Sequence, residues 1–394
     1  MIPRHAAATL RALARHYPVV ALTGPRQSGK STLARAVFPG LPYASLEDLD
    51  LREFATSDPR GFLAQYSDGA VFDEAQRAPQ LFSYLQTKVD RDRRAGRFVL
   101  TGSQQFGLLA GISQSLAGRV GLVHLLPFSL GELPRARRPK DLETLLWSGL
   151  YPPVIDRAVP PLQWYGDYLA TYVERDARSL VNVRELGTFR RFVRMCAART
   201  AQSLNLSALA ADCGVTHNTA RAWISVLEAS YIVFLLPPHH RNFGKRLVKT
   251  PKLYFYDTGL AARLLGMQSP GELAIGPARG PLFETWVVAE FLKRRCHLGL
   301  APELHFWRDS AGGEIDIVVD RAGALFPVEA KAGRTIAADW LAPLERFLAL
   351  SGARAGALVF GGEGTRRRGS VEVAGWREIG TVLEAALPAP KQGS

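Results

Sequence analysis

The octet Gly24-Pro25-Arg26-Gln27-Ser28-Gly29-Lys30-Ser31 follows the apolar run Val19-Val20-Ala21-Leu22 and precedes a helical pattern from Thr32 to Phe38. It fits G-x-x-x-x-G-K-[ST], and it sits in the strand-loop-helix setting that its chemistry needs. Glycines let backbone N–H groups fold around phosphate oxygens, and the following helix presents its positive end. Lys30 neutralises charge on the β- and γ-phosphates, and the Ser31 hydroxyl is a ligand type for Mg²⁺. The predicted nucleotide-binding residues are therefore positions 24 to 31 and Thr32, with ATP and Mg²⁺ as the expected cofactors.

Binding alone is not hydrolysis, which needs carboxylates beside the phosphates. The run Ala70-Val71-Phe72 ends in Asp73-Glu74, where a strand would deliver Asp73 to Mg²⁺ and Glu74 to a water. A further strand, Phe98 to Leu100, leads into Thr101, Gly102 and Ser103. Its hydroxyls read as γ-phosphate sensors, Ser103 belonging to the nucleotide set. The plainer alternatives are an acidic helix cap at Asp73-Glu74 and turn residues at Thr101 and Ser103.

A chain of 394 residues is long enough for two to three domains, each with its own core. With 47% hydrophobic and 22% charged residues it has globular composition. Cys196, Cys213 and Cys296 lie far apart in no metal-ligand spacing, which argues for a reducing compartment. The N-terminus lacks a signal-peptide core and no apolar run reaches membrane-spanning length, so the expectation is a cytoplasmic protein with no membrane partner. Forty-nine basic against 36 acidic residues leave +13, which suits a polyanionic partner, nucleic acid above all. An Arg-rich proteome is the plainer source of that charge.

Punctuation by Pro and Arg divides the chain further. Residues 1–135 alternate strand and helix as a parallel α/β sheet does, 136–185 read as a helical connector, and 388–394 as a frayed tail. Within 186–256, Ser207 to Leu227 reads as two helices about a turn at Cys213-Gly214-Val215, the second opened by Thr216. In that second helix Ala220, Trp223, Ile224 and Leu227 share one face, leaving His217, Asn218 and Arg221 outward. Arg241, Lys245, Arg246, Lys249 and Lys252 then follow with no acid among them. A winged helix-turn-helix would bring the outward residues to base edges and the basic stretch, Lys245 and Arg246 foremost, to phosphates. The alternatives are a packing module and a basic linker tied down by acidic partners.

Residues 257–387 read as α/β again. Asp316 lies opposite Ile315, Ile317 and Val319 on one strand, while Glu329 and Lys331 project together from the next. Glu284 shares a helix face with Val287, Val288 and Phe291, and a carboxylate on an apolar face requires a reason.

Three further strings, Ser115-Leu116-Ala117-Gly118-Arg119, Pro127 to Leu133 and Tyr172 to Asp176, join Lys245 to Leu260 in a pattern that covers nearly the whole chain. In these the sequence resembles a large prokaryotic family that couples an AAA-type ATPase domain to a C-terminal domain of PD-(D/E)XK-nuclease type. One departure is Ser148-Gly149-Leu150-Tyr151-Pro152, where the family carries Gly-Gly-Tyr-Pro. The resemblance implies an AAA-type sheet with a helical lid, a winged helix and a nuclease-like α/β domain. It assigns Asp316 and Glu329 as metal ligands, Lys331 to water activation and Glu284 as an assisting carboxylate. Arg119 is the candidate for the arginine that stabilises transition-state charge, in its own subunit or a neighbour of a homo-oligomer, with Arg175 as runner-up. A surface or ion-paired arginine is the alternative at both positions. The function so implied is Mg²⁺-dependent ATP hydrolysis coupled to binding or processing of DNA, and the alternative is a nucleotide-gated protein-interaction switch in which the nuclease-like domain is a scaffold.

Overall fold

Apolar runs flanked by turn residues become the strands of two large sheets. A computed structural model describes residues 1–103, 105–173, 186–239, 249–309 and 312–389, and the chain divides into two compact units. The first comprises Met1–Phe128 with Ala229–Tyr231 and Cys296–Ala301. Its strands are β1 (Val19–Thr23), β2 (Tyr43–Ser45), β3 (Ala70–Asp73), β4 (Phe98–Gly102) and β5 (Val120–His124). They pair in parallel in the order β2-β3-β4-β1-β5. β1, β3 and β4 are buried along their whole length, as central strands covered on both faces must be. Val19, Ala21, Phe72, Phe98 and Leu100 pack on one face with Leu81, Phe82 and Leu85 of helix Leu81–Arg91. Val20 and Leu22 pack on the other with Leu10 and Leu33. The strands thus end together, and the loops after β1, β3 and β4 meet at one edge, where ligands of open parallel sheets bind.

The second unit comprises Ser129–Glu228, Ile232–Arg295 and Pro302–Ser394. It carries β6 (Gln202–Ser203), β7 (Val233–Leu236) and β8 (Lys252–Phe255) in an antiparallel sheet of order β6-β8-β7. A six-stranded mixed sheet follows: β9 (His305–Arg308), β10 (Glu314–Arg321), β11 (Ala324–Lys331), β12 (Gly356–Phe360), β13 (Thr365–Arg368) and β14 (Val371–Gly375), in the order β13-β14-β12-β11-β10-β9. β9-β10-β11 is antiparallel, whereas β11, β12 and β14 run parallel. The sequence suggests domain boundaries at 185/186 and 256/257; the structure gathers the residues on either side of both into this one unit. Two buried polar clusters, described below, link residues across these divisions.

Candidate functional site

The loop after β1 is shaped by its neighbours. At Gly24, φ is +145° and a Cβ would lie 2.1 Å from the Leu125 carbonyl oxygen, so only glycine lets the chain turn there. Arg4, itself buried, donates to Ser28 O at 2.8 Å and Leu126 O at 2.6 Å and lies over the Phe128 ring. Lys30 opens helix Lys30–Val37, and its ammonium donates to Gly24 O at 3.0 Å and Pro25 O at 2.8 Å. Burial lowers its pKa to about 8, against the upward pull of Glu74 and Asp73. Among the described residues the buried Ser28 hydroxyl has no hydrogen-bond partner, a cost that a bound acceptor or donor would remove.

Asp73 closes β3 and collects three hydroxyls. Ser31 Oγ donates at 2.8 and 2.9 Å and Tyr43 at 2.7 Å, and Thr101 donates closely from β4. Burial, then the Asp73 carboxylate, pushes the Tyr43 hydroxyl up to about 12. Glu74 follows with φ +52°, a left-handed conformation uncommon outside glycine. Its Oε2 accepts from Ser103 Oγ at 2.8 Å and Gln76 Nε2 at 2.6 Å. A carboxylate and a serine hydroxyl side by side are oxygen donors suited to a hard cation, so Ser31 and Asp73 are the residues that would hold Mg²⁺.

The structure brings Lys30, Ser31, Asp73, Glu74, Thr101 and Ser103 together. It sets Arg119 elsewhere: with Val19 opposite Val120 and Thr23 opposite His124, Arg119 lies at the far end of β1 from the phosphate loop, more than about 13 Å away. There it pairs with Asp90 at 2.6 and 3.0 Å. Action within its own subunit is thereby removed, because the side chain cannot span the strand. Arg175 lies outside the described residues. Arg4, Tyr43 and Gln76 were not legible as site residues. Only the place of Gln76, two residues after Glu74, offered a signal.

In the second unit, helix Leu206–Cys213 is capped by the Asn205 side chain, which accepts from Ala208 N at 3.0 Å, and ends at Gly214. Thr216 Oγ accepts from Thr219 N at 3.1 Å and opens helix His217–Ala229. Trp223 packs edge-on against Phe189 and Phe192, while Asn218 and Arg221 are exposed and His217 is half-buried. Lys245 and Arg246 lie outside the described residues. Lys252 corrects the basic stretch: it is buried, because acids surround it.

Those acids are the ones singled out in the C-terminal block. Lys252 Nζ lies 2.8 Å from Glu284 Oε1 and 3.5 Å from Asp316 Oδ1, and it also pairs closely with Glu314. Tyr254 donates to Glu284 Oε1 at 2.6 Å, so the carboxylate on an apolar helix face has two partners on β8. Asp316 Oδ2 accepts from Ala330 N at 3.0 Å, and Lys331 Nζ pairs with Glu329 Oε2 at 2.7 Å. Glu329 is only 2% exposed, and among the described residues its Oε1 has no partner. Burial, then the nearby Asp316, raises Glu284 to about 7 and Glu329 to about 8. Among the described residues, no three of Glu284, Glu314, Asp316 and Glu329 hold ligand oxygens all within 4.8 Å of one another. A cation caged by three of these acids does not fit this arrangement, and one of the two assigned ligands, Asp316, already has Lys252 beside it.

A second buried cluster gives the Ser148-Gly149-Leu150 turn its role. Asp257 accepts from Tyr165 OH at 2.6 Å and Leu150 N at 2.8 Å, and it caps helix Thr258–Leu264 through Gly259 and Leu260 N–H groups. Gly149 has φ +60°, and a Cβ there would lie 2.2 Å from both Asp257 Oδ1 and the Tyr165 hydroxyl. Among the described residues no helix is long and apolar enough to cross a membrane.

A family model described as an AAA domain matches residues 16–134. Two domains of unknown function, DUF8612 and DUF4143, match residues 139–271 and 279–379. Uncharacterized proteins Rv2008c of Mycobacterium tuberculosis and Mb2031c of Mycobacterium bovis are each 34% identical over 339 residues, 84% of this chain and 74% of theirs. Among solved structures, the Walker-type ATPase of Pyrococcus abyssi is 15% identical with a TM-score of 0.45, covering 67% of this chain and 96% of that one. AMPPCP-bound DnaA from Aquifex aeolicus is 16% identical with a TM-score of 0.30, covering 57% and 85%. The matched AAA domain, the parallel sheet and its phosphate loop define an AAA-type P-loop ATPase domain, for which nucleotide binding is expected. The chain belongs to the uncharacterised AAA-type family that includes the two mycobacterial proteins.

Proposed function

We propose that this protein hydrolyses ATP with Mg²⁺ and couples the cycle to DNA. The observation that carries the hydrolytic part is the pairing of Asp73, on which Ser31 converges, with Glu74, which Ser103 and Gln76 hold in place. Backbone N–H groups of residues 24–32 would cradle the phosphates, and Lys30 would leave the Gly24 and Pro25 carbonyls for phosphate oxygens. Ser31 and Asp73 would hold Mg²⁺, which would supply neutralisation of phosphate charge. Glu74 orients a water and accepts its proton as attack proceeds, and Ser103 and Gln76 keep that carboxylate aimed. Arg119 is left for a neighbouring copy in a homo-oligomer, where an arginine supplied in trans stabilises transition-state charge.

For the coupled half, helix His217–Ala229 with the sheet β6-β8-β7 serves as a winged helix that meets DNA through His217, Asn218 and Arg221. Lys245 and Arg246 bind phosphates. The six-stranded sheet is read as nuclease-like, with Glu284, Asp316, Glu329 and Lys331 as the residues of its motif. The exposed Asn218 and Arg221, with the +13 charge, support this reading. The second reading, a nucleotide-gated protein switch on a non-catalytic scaffold, is favoured by the lysine among the motif carboxylates. ATP turnover with Mg²⁺, measured with and without duplex and single-stranded DNA at low and high salt, decides between them. Stimulation that fades as salt rises supports the DNA-coupled machine, because phosphate contacts release counterions. Turnover indifferent to DNA at every salt concentration supports the switch.

A further inference from the structure

Lys252 is the first residue of β8, and its side chain is 3% exposed. An ammonium has three N–H donors and no acceptor. Three carboxylates, Glu284 from helix Arg279–His297 and Glu314 and Asp316 from β10, form ion pairs with it. Every carboxylate of the cluster already has a cation from the chain: Arg308 Nε lies 3.3 Å from Glu314 Oε2, and Lys331 pairs with Glu329. One Asp316 oxygen is further committed to the Ala330 amide. Apart from Glu329 Oε1, the acids are therefore held by ammonium, guanidinium and backbone donors, and with Lys252 among them no three bring their oxygens within 4.8 Å of one another.

We infer that Lys252 is the resident cation of this cluster, standing against Asp316, one of the two acids assigned as metal ligands, and Glu284, the assisting one, so that the folded protein takes up no divalent metal there. The inference rests on the nuclease-like reading of the six-stranded sheet, which alone gives a reason to expect a metal. It deepens that reading by making the sheet a binding element with a locked motif. The lysine also fastens β8 to the motif. Withdrawing the ammonium leaves Glu284 and Asp316 as neighbouring, largely buried like charges, and another cation or protonation relieves them.

The test is Mn²⁺ binding to the nucleotide-free, full-length protein, read by electron paramagnetic resonance, with thermal unfolding followed in EDTA and in Mn²⁺. The wild type is expected to hold no Mn²⁺ that Asp316→Asn removes. Lys252→Met is expected to gain one site, at least about tenfold tighter than anything in the wild type, and to melt higher with Mn²⁺ than in EDTA. Adding Asp316→Asn to Lys252→Met should abolish both gains. Lys252→Gln, which keeps a donor, replaces the methionine variant if that variant fails to fold. Mn²⁺ held by the wild type and lost in Asp316→Asn overturns the inference while upholding the nuclease-like reading. A folded Lys252 variant that gains no site overturns the inference, and with no site in the wild type either it removes the nuclease-like reading as well.

Discussion

Ser103 Oγ lies 2.8 Å from Glu74 Oε2, joining the residue that follows β4 to the acid that follows β3. The contact links the two loops where the phosphate chemistry is expected, and it fixes a carboxylate whose backbone sits in the left-handed region.

Glu74→Gln is expected to lower steady-state phosphate release by about 10²-fold or more while nucleotide affinity is kept, because the amide cannot take a proton from water. Ser103→Ala should cost about tenfold, since it removes one charge-assisted hydrogen bond and leaves Gln76 in place. Phosphate release and a fluorescent-nucleotide titration measure the two effects. Wild-type turnover in Glu74→Gln would show that Glu74 is not the base.

Lys30 gives a pH dependence of definite sign. In the unfolded chain it titrates at 10.5, and in the nucleotide-free protein burial lowers it to about 8. Between those values the unfolded state binds the extra proton, so this group's contribution to stability grows as pH rises through the window and is lost as pH falls through 8. ATP needs the ammonium, so affinity should fall about tenfold per pH unit within the window, and binding at pH 9 should take up one proton. Calorimetry in two buffers of different ionisation heat reads the proton directly. Equal heats in both buffers at pH 9 would contradict the assignment.

Trp223→Ala should cost about 3–5 kcal/mol in urea unfolding, because it empties the space between Phe189 and Phe192. Arg221→Ala, at an exposed position, should change stability by less than about 0.5 kcal/mol. It is expected to weaken DNA binding and lower the slope of log affinity against log salt by about one. Anisotropy titrations over a salt series test this, and an unchanged affinity and slope would remove Arg221 from the interface.

Gly149→Ala should destabilise the protein by more than about 3 kcal/mol, since a methyl group at φ +60° meets Asp257 and Tyr165 at 2.2 Å. Thermal unfolding checks it. Gly166→Ala, whose nearest neighbour lies 3.5 Å away, is the control expected to fold normally.

The legible parts of the fold are those with strong local patterns. The runs beginning at Val19, Ala70 and Phe98 become β1, β3 and β4, because central parallel strands are apolar throughout. β2 has three residues, and β5 alternates between buried and half-buried positions, so neither stands out from its surroundings. In the phosphate site the motif residues were legible one by one. Tyr43 and Arg4 were not, since a tyrosine 30 positions from Asp73 and an arginine near the N-terminus carry no pattern.

What the sequence by itself determined is local: a phosphate loop between strand and helix, an acidic strand end, a helix pair with one apolar face, and the acids of the C-terminal block. What only the tertiary structure decided is which charges meet. Lys252 stands among basic residues in the sequence and among three carboxylates in the fold. Arg119 lies at the wrong end of β1 to reach its own phosphate loop. Hydrophobic periodicity is set by neighbours a few positions away, whereas a buried ion pair is set by the register of strands far apart in the chain.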